Sequence, residues 1–176
     1  MIRVLLLCAL FAIFYFVYQV TPSSDCPFCN RRVVHRQKYY EDDKAIGLYC
    51  YKPIIDGHCL IIPKRHVERF EDLTTSEMVH MQKLIKKTHK ASQKAFGANS
   101  YLLLQKNGKE VGQSVPHVHF HYIPKKRGNP MDLLLRFLFA PLKAQISSKE
   151  MNKKIKSIQD SWEKEGWTST VNRAVI

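Results

Sequence analysis

The sequence predicts an α+β domain: an antiparallel sheet with one long helix, between an apolar N-terminal segment and a basic C-terminal helical tail. Three features predict it. Short runs rich in β-branched and aromatic residues (YYEDDKAIGLY, HCLIIP, SYLLLQ, HVHFHYI) are bounded by turn residues. One stretch, after Thr74, carries apolar residues at helical spacing. The strand-like runs also cluster before and after that helix instead of alternating with several helices.

The run from Val4 to Val20 contains no charged residue and, with Ile2, approaches the roughly 20 residues that span a bilayer. Residues 1–21 therefore read as a single-pass membrane anchor, with Tyr15 and Tyr18 suited to an interface. Arg31, Arg32, Arg36 and Lys38 follow the segment and outnumber Arg3 before it, which places the domain on the cytoplasmic side. The alternative is a cleaved signal peptide and an exported domain, although no A-x-A-like site occurs in TPSSD.

VVHRQKYYEDDKAIGLYCYKP reads as two strands around a turn at Glu41 to Lys44. Pro53 to Gly57 is a loop, and HCLIIP is a buried strand closed by Pro63. Thr74 and Glu77 form a capping box. Met78, Met81, Leu84, Ile85, Thr88, Ala91 and Ala95 continue a helix to Phe96, with Gly97 as its C-cap. His80 and His89 on this helix read as solvent-facing. SYLLLQKN and PHVHFHYIP are the last strands, joined by a glycine-containing turn. Beyond Gly128 come an apolar segment broken by Pro141 and an amphipathic basic helix started by Ser147 or Ser148. That tail suits packing on the domain, pairing with a second copy, or lying on an anionic membrane.

The 176 residues suffice for one domain with appendages. The net charge of +13 suits an anionic partner such as nucleotide phosphates, nucleic acid or an acidic membrane. The chain has no Arg/Gly-rich segment or helix-turn-helix pattern, so nothing singles out nucleic acid. The 5 cysteines are odd in number and irregularly spaced, against a disulfide framework. Cys50 and Cys59 read as buried small hydrophobes, and only Cys26 and Cys29 form a motif, with the spacing of a zinc knuckle.

PHVHFH is the most informative stretch. In a strand, His117, His119 and His121 line one face while Val118, Phe120 and Tyr122 enter a core. Two readings fit: a metal site of neutral imidazoles, or a catalytic histidine with two supporting ones.

GQSVPHVHFHYIP, with NG upstream, resembles the histidine triad (HIT) family of nucleotide-binding proteins. The family's His-φ-His-φ-His-φ-φ pattern is met by His117 to Ile123. DGHCLIIPKRHV is similar to a second family segment, and CPFC to the start of many bacterial members. The resemblance covers about residues 26–127, leaving 128–176 as an extension. It implies an enzyme, a nucleotidyl hydrolase or transferase acting at the α-phosphate through a nucleotidyl-histidine. Nucleoside phosphoramidates are the first substrate class, dinucleoside polyphosphates the alternative. A different class of alternative is a non-catalytic nucleotide-binding module on a membrane.

By resemblance, His119 is the nucleophile, His121 and Ser114 meet the phosphate or leaving group, and His58 orients the histidines beside it. Asn107, Gln113 and, more loosely, Asp56 are implied nucleotide contacts, with Tyr49 or Ile54 near the base. In zinc-bearing members the metal is held by four ligands equivalent to Cys26, Cys29, His66 and His117, a Cys₂His₂ structural site. The alternatives there are two reduced thiols or, after export, a disulfide. A homodimer is also implied, with the helix from Thr74 to Phe96 as a candidate interface. Pro116 stands where many members carry an aromatic residue, and the tail departs from the family's short C-terminus.

Overall fold

The computed structural model describes residues 26–163. The anchor expected at Val4 to Val20 lies outside the described residues, as does the end of the tail. No helix among the described residues is long and apolar enough to cross a membrane.

The chain enters a short helix, α1 (Arg31–Gln37), where strand was expected from Val33-Val34. Asn30 overrides the β-propensity of the two valines: its side-chain oxygen accepts from the N–H groups of Arg32 (3.0 Å) and Val33 (3.4 Å). Val34 then packs against the apolar face of the sheet.

β1 (Lys38–Glu41) and β2 (Ala45–Tyr49) follow, joined by the expected turn. Asp42 makes that turn by accepting from the N–H groups of Lys44 (2.9 Å) and Ala45 (2.7 Å). β3 (Cys59–Pro63) leads through a loop to the long helix α2 (Thr75–Phe96). β4 (Ser100–Gln105) and β5 (Phe120–Lys125) complete an antiparallel sheet of order β1-β2-β3-β5-β4. Two helices extend beyond it, α3 (Pro130–Phe139) and α4 (Ser148–Glu163). Among the tail's expected roles the described residues take the first: Met151, Ile158 and Trp162 of α4 are buried in the core.

Period-2 alternation gives the sheet two apolar faces. Tyr39, Tyr49, Cys59, Ile61 and Tyr122 face α2 and α4, meeting Met81, Leu84, Ala91, Ile158 and Trp162. Ile46, Leu48, Cys50, Leu60 and Ile62 form the opposite face, with Phe28 and Val34 against them. The apolar stripe of α2 is occupied by the sheet and α4, so of this helix, a candidate dimer interface from sequence, the outer polar face is the one left open. His80 and His89, expected to face solvent, are half-buried and each has a partner. His80 Nδ1 lies 3.1 Å from Asp42 Oδ2, and His89 Nδ1 lies 2.9 Å from the Tyr122 hydroxyl.

α2 begins and ends as its sequence dictates. Thr74 Oγ1 accepts from the Glu77 N–H, Glu77 accepts from the Thr74 N–H, and Gly97 ends the helix at φ 67°, a left-handed conformation. Glu77 is buried and also receives Nε and Nη2 of Arg65, each at 2.9 Å. Arg65 is the first cause holding its carboxyl down, to about 2. A depressed carboxyl contributes stability above its unfolded pKa and loses it as pH falls through the folded value. Glu77→Gln should therefore cost ~1–2 kcal/mol at pH 7. In chemical denaturation the difference from wild type should shrink as pH falls from about 4.5 towards 2; a pH-independent difference would refute the assignment.

Candidate active site

The backbone places the three triad histidines, but not as one continuous strand. Only His121 lies within β5, opposite Leu60 of β3 and Leu104 of β4. His117 and His119 precede the ladder, because the Val118 N–H turns to the Val67 carbonyl (2.6 Å) and Pro116 has no N–H to give. His117, His119 and His58 are buried, His121 nearly so. The His119 and His121 ring centres lie 5.0 Å apart, edge to face.

In this setting three of the four neutral imidazoles have their tautomer set by a backbone group that can play only one role, and the fourth by a neighbouring ring. The His117 carbonyl can only accept, so His119 donates Nδ1–H to it at 2.7 Å and keeps a bare Nε2. The Ile54 N–H can only donate, so His58 accepts it on Nδ1 at 3.2 Å and carries its proton on Nε2. That proton goes to His121 Nδ1, 3.0 Å away, leaving His121 with Nε2–H. The Pro63 carbonyl accepts from His117 Nε2–H at 3.0 Å, leaving His117 Nδ1 bare.

Burial keeps all four neutral. It is the largest cause pushing His58 down to about 3, His117 to about 4 and His121 to about 2, and it lowers His119 as well. The charge of Lys106 adds to the effect on both His119 and His121. Lys106 directly follows β4, whose Gln105 pairs with Phe120 between these two histidines, and burial lowers its own pKa. Sequence reasoning missed this cation; its adjacency to the NG turn was the available signal.

The bare Nδ1 of His117 points to the cysteines. The donor atoms of Cys26, Cys29, His66 and His117 all lie within 4.8 Å of one another. His117 Nδ1 is 3.5 Å from Cys26 Sγ and 3.8 Å from Cys29 Sγ, and His66 Nδ1 is 3.3 Å from Cys29 Sγ. Metal bonds of ~2.3 Å to sulfur and ~2.0 Å to nitrogen at tetrahedral angles imply ligand separations of ~3.5 Å, which these distances match. Both imidazoles also have an outer partner: Pro63 O for His117, and Glu68 Oε1 at 3.5 Å from His66 Nε2. The donor set thus fits a closed four-ligand metal site. Phe28, between the two cysteines, packs edge-on to His117 (5.7 Å) and His119 (5.4 Å), joining the cluster to the triad. Sequence reasoning did not assign it a place.

The remaining expected residues divide. Asn107 accepts from the Phe70 N–H (2.8 Å) and donates to Glu71 (2.7 Å). Gln113 accepts from the Gly108 N–H (2.6 Å) and donates to the Glu68 and Val115 carbonyls. Both amides therefore hold the loop that leads to His117. Gly108 permits it: its φ is 124°, and a Cβ there would lie 2.6 Å from Arg69 Nη1. Ser114 is exposed on the same loop. Asp56 does not join the histidines; its carboxylate is held by Lys154 of α4 at 2.8 Å. Tyr49 is fully buried and its hydroxyl accepts from the Gly57 N–H, while Ile54 is buried beside His58.

Residues 31–128 match the HIT domain. The chain is 36% identical over 96 residues to a bis(5'-nucleosyl)-tetraphosphatase (asymmetrical) of Schizosaccharomyces pombe, covering 54% of this chain and 53% of that protein. It is 36% identical over 110 residues to an adenylylsulfatase of Arabidopsis thaliana, covering 60% of this chain and 55% of that one. The chain thus spans about half the length of these two curated relatives. A crystal structure of a Hit-like protein from Bartonella henselae matches 80% of this chain and 99% of its own, at 25% identity and a TM-score of 0.63. The match runs from α1 past the end of β5 and takes in every histidine of the tautomer chain, and the chain belongs to the HIT domain family.

Proposed function

We propose that this protein hydrolyses nucleotide anhydrides at the α-phosphate through a nucleotidyl-histidine formed on His119. The observation that carries this is the His119 Nδ1–H bond to the His117 carbonyl, which leaves a neutral Nε2 lone pair in a buried site. Nε2 attacks phosphorus, an N–P bond forms, and the bond from phosphorus to the leaving oxygen breaks. Water then cleaves the N–P bond, releasing the nucleoside monophosphate and restoring His119. His121 donates Nε2–H to a phosphoryl oxygen as negative charge develops. Ser114 stands on the approaching loop, where its hydroxyl can meet the phosphate or the leaving group.

The leaving group favoured is anionic, a nucleoside polyphosphate or sulfate. This reverses the order expected from sequence, where phosphoramidates came first. Lys106 puts a positive charge beside His119 and His121, which stabilises a departing anion more than a departing amine. The names of the two curated relatives, a dinucleoside tetraphosphatase and an adenylylsulfatase, support the same choice.

We further propose that Cys26, Cys29, His66 and His117 hold a structural zinc ion. Without a cation, burial first and then Cys26 push the Cys29 thiol up to about 11, whereas a divalent ion would favour the thiolate. A closed site of this kind supplies folding energy and fixes the backbone ahead of His119. Zinc binding and the single-pass anchor are independent readings, and the second rests on the sequence alone.

Three outcomes test these readings. Diadenosine tetraphosphate, adenylyl sulfate and adenosine phosphoramidate are offered to the full chain and nucleotide release is followed. His119→Ala should lower release of every hydrolysed compound by at least ~10³-fold while a nonhydrolysable analogue still binds; turnover close to wild type would sink the mechanism. Lys106→Met should lower kcat/KM for the tetraphosphate ~10-fold more than for the phosphoramidate; equal losses would remove its role in leaving-group choice. Cys26→Ser should reduce bound zinc, measured by elemental analysis, and lower Tm; unchanged zinc content would dismiss the metal site.

A further inference from the structure

The chain beyond the HIT domain reaches back to the loop that enters His58. The domain match ends at residue 128. Past it, the Ile146 N–H donates to the Tyr51 carbonyl at 3.0 Å. Lys143 Nζ donates to the Ile54 carbonyl at 2.7 Å and the Pro53 carbonyl at 3.3 Å. Lys154 of α4 pairs with Asp56 at 2.8 Å. Three donors of one extension thus hold the outer side of residues 51–56, where Pro53 and Ile54 are buried.

The inner side of that loop faces the histidines. The His58 N–H returns to the Ile55 carbonyl at 3.1 Å, and the Ile54 N–H is the donor that occupies His58 Nδ1. The Pro53 carbonyl and the Ile54 N–H belong to one peptide unit. An ammonium on that carbonyl polarises the unit and strengthens the N–H as a donor. His58 then gives its Nε2–H to His121 Nδ1. The bonds run unbroken from Lys143 through a peptide and an imidazole to the histidine that meets the phosphate.

We propose that Lys143 is a positioning residue for His121: it holds the Pro53–Ile54 peptide against His58, and so fixes the proton of His121 on Nε2. This rests on the hydrolase reading only in giving His121 the phosphate to bind. The placement of Lys143 between α3 and α4 makes the C-terminal extension part of the reaction apparatus, with no contact between Lys143 and substrate. Its charge also adds to burial in keeping His58 unprotonated, which the chain of donors requires.

The test is made on the full chain labelled with ¹⁵N-histidine. Wild type should show both His58 and His121 as Nε2–H tautomers. Lys143→Met should convert His121 to a mixture of tautomers and lower kcat about 10-fold with little change in KM; Lys143→Arg should restore both. Lys154→Met frees the same loop at Asp56 and should leave both tautomers as in wild type. Should Lys143→Met fail to fold, Lys143→Gln removes the charge with less disturbance and should shift the tautomers in the same direction. Wild-type imidazole spectra in the charge-free variants, or equal mixing in Lys154→Met, would overturn the proposal. Turnover surviving His119→Ala would overturn the hydrolase reading instead, and the imidazole spectra would still judge Lys143.

Discussion

Four imidazoles occupy one buried corner of this fold, and their burial forbids charge. A neutral imidazole has one donor and one acceptor, so every ring there must find the correct partner for each. Three rings anchor one nitrogen on a backbone group of fixed character: the Pro63 carbonyl for His117, the His117 carbonyl for His119 and the Ile54 N–H for His58. His121 inherits its tautomer from His58. The remaining nitrogens are consequently distinct: Nδ1 of His117 is bare towards the cysteines, Nε2 of His119 is bare, and Nε2 of His121 carries its hydrogen.

That arrangement depends on the sheet keeping its two faces apart. The face towards α2 and α4 is aromatic and aliphatic, and it takes the long helix and Trp162. The opposite face carries Leu60, Ile62 and the cysteine-bearing segment with Phe28. His58 and His121 share this second face with Leu60, which lies two residues after His58 in the chain and opposite His121 in register. A one-residue slip of β5 against β3 would send His121 into the helix-facing core and leave a polar ring without its partner. Register and hydrogen bonding therefore enforce each other.

The extension beyond residue 128 is bound to this logic through packing and through polar contacts. α4 buries Met151, Ile158 and Trp162 against the helix-facing core, and Tyr39 and Tyr40 meet the Trp162 ring edge-on. This fixes the segment before α4 closely enough for Lys143 and Ile146 to reach the loop before His58. A helix that looks like a surface appendage in its charge pattern is, by its buried face, part of the helical layer that α2 forms on this side of the sheet.

From the sequence alone follow the α+β class, the long helix with both its caps and the turn between Glu41 and Lys44, while the roles of the histidine and cysteine donors come from the family resemblance. The first three follow from local rules: strand-like runs bounded by turn residues, an i to i+3 capping pair with a left-handed glycine, and a short polar break between two strands. Three-dimensional structure decided the rest, because the deciding contacts are long-range. Asn30 and packing made a helix of Val33-Val34, which local propensity assigned to a strand. The Val118 N–H left the ladder for Val67, so the triad is bent and its members could take separate partners. Asn107 and Gln113 read as nucleotide contacts by resemblance, and in the fold their amides bond to Phe70, Glu71, Gly108 and Glu68. Lys143 belongs to no motif, and Lys106 has only its place beside the NG turn. A lysine's meaning is set by what lies within a few ångströms of its ammonium group, and that is a property of the folded chain.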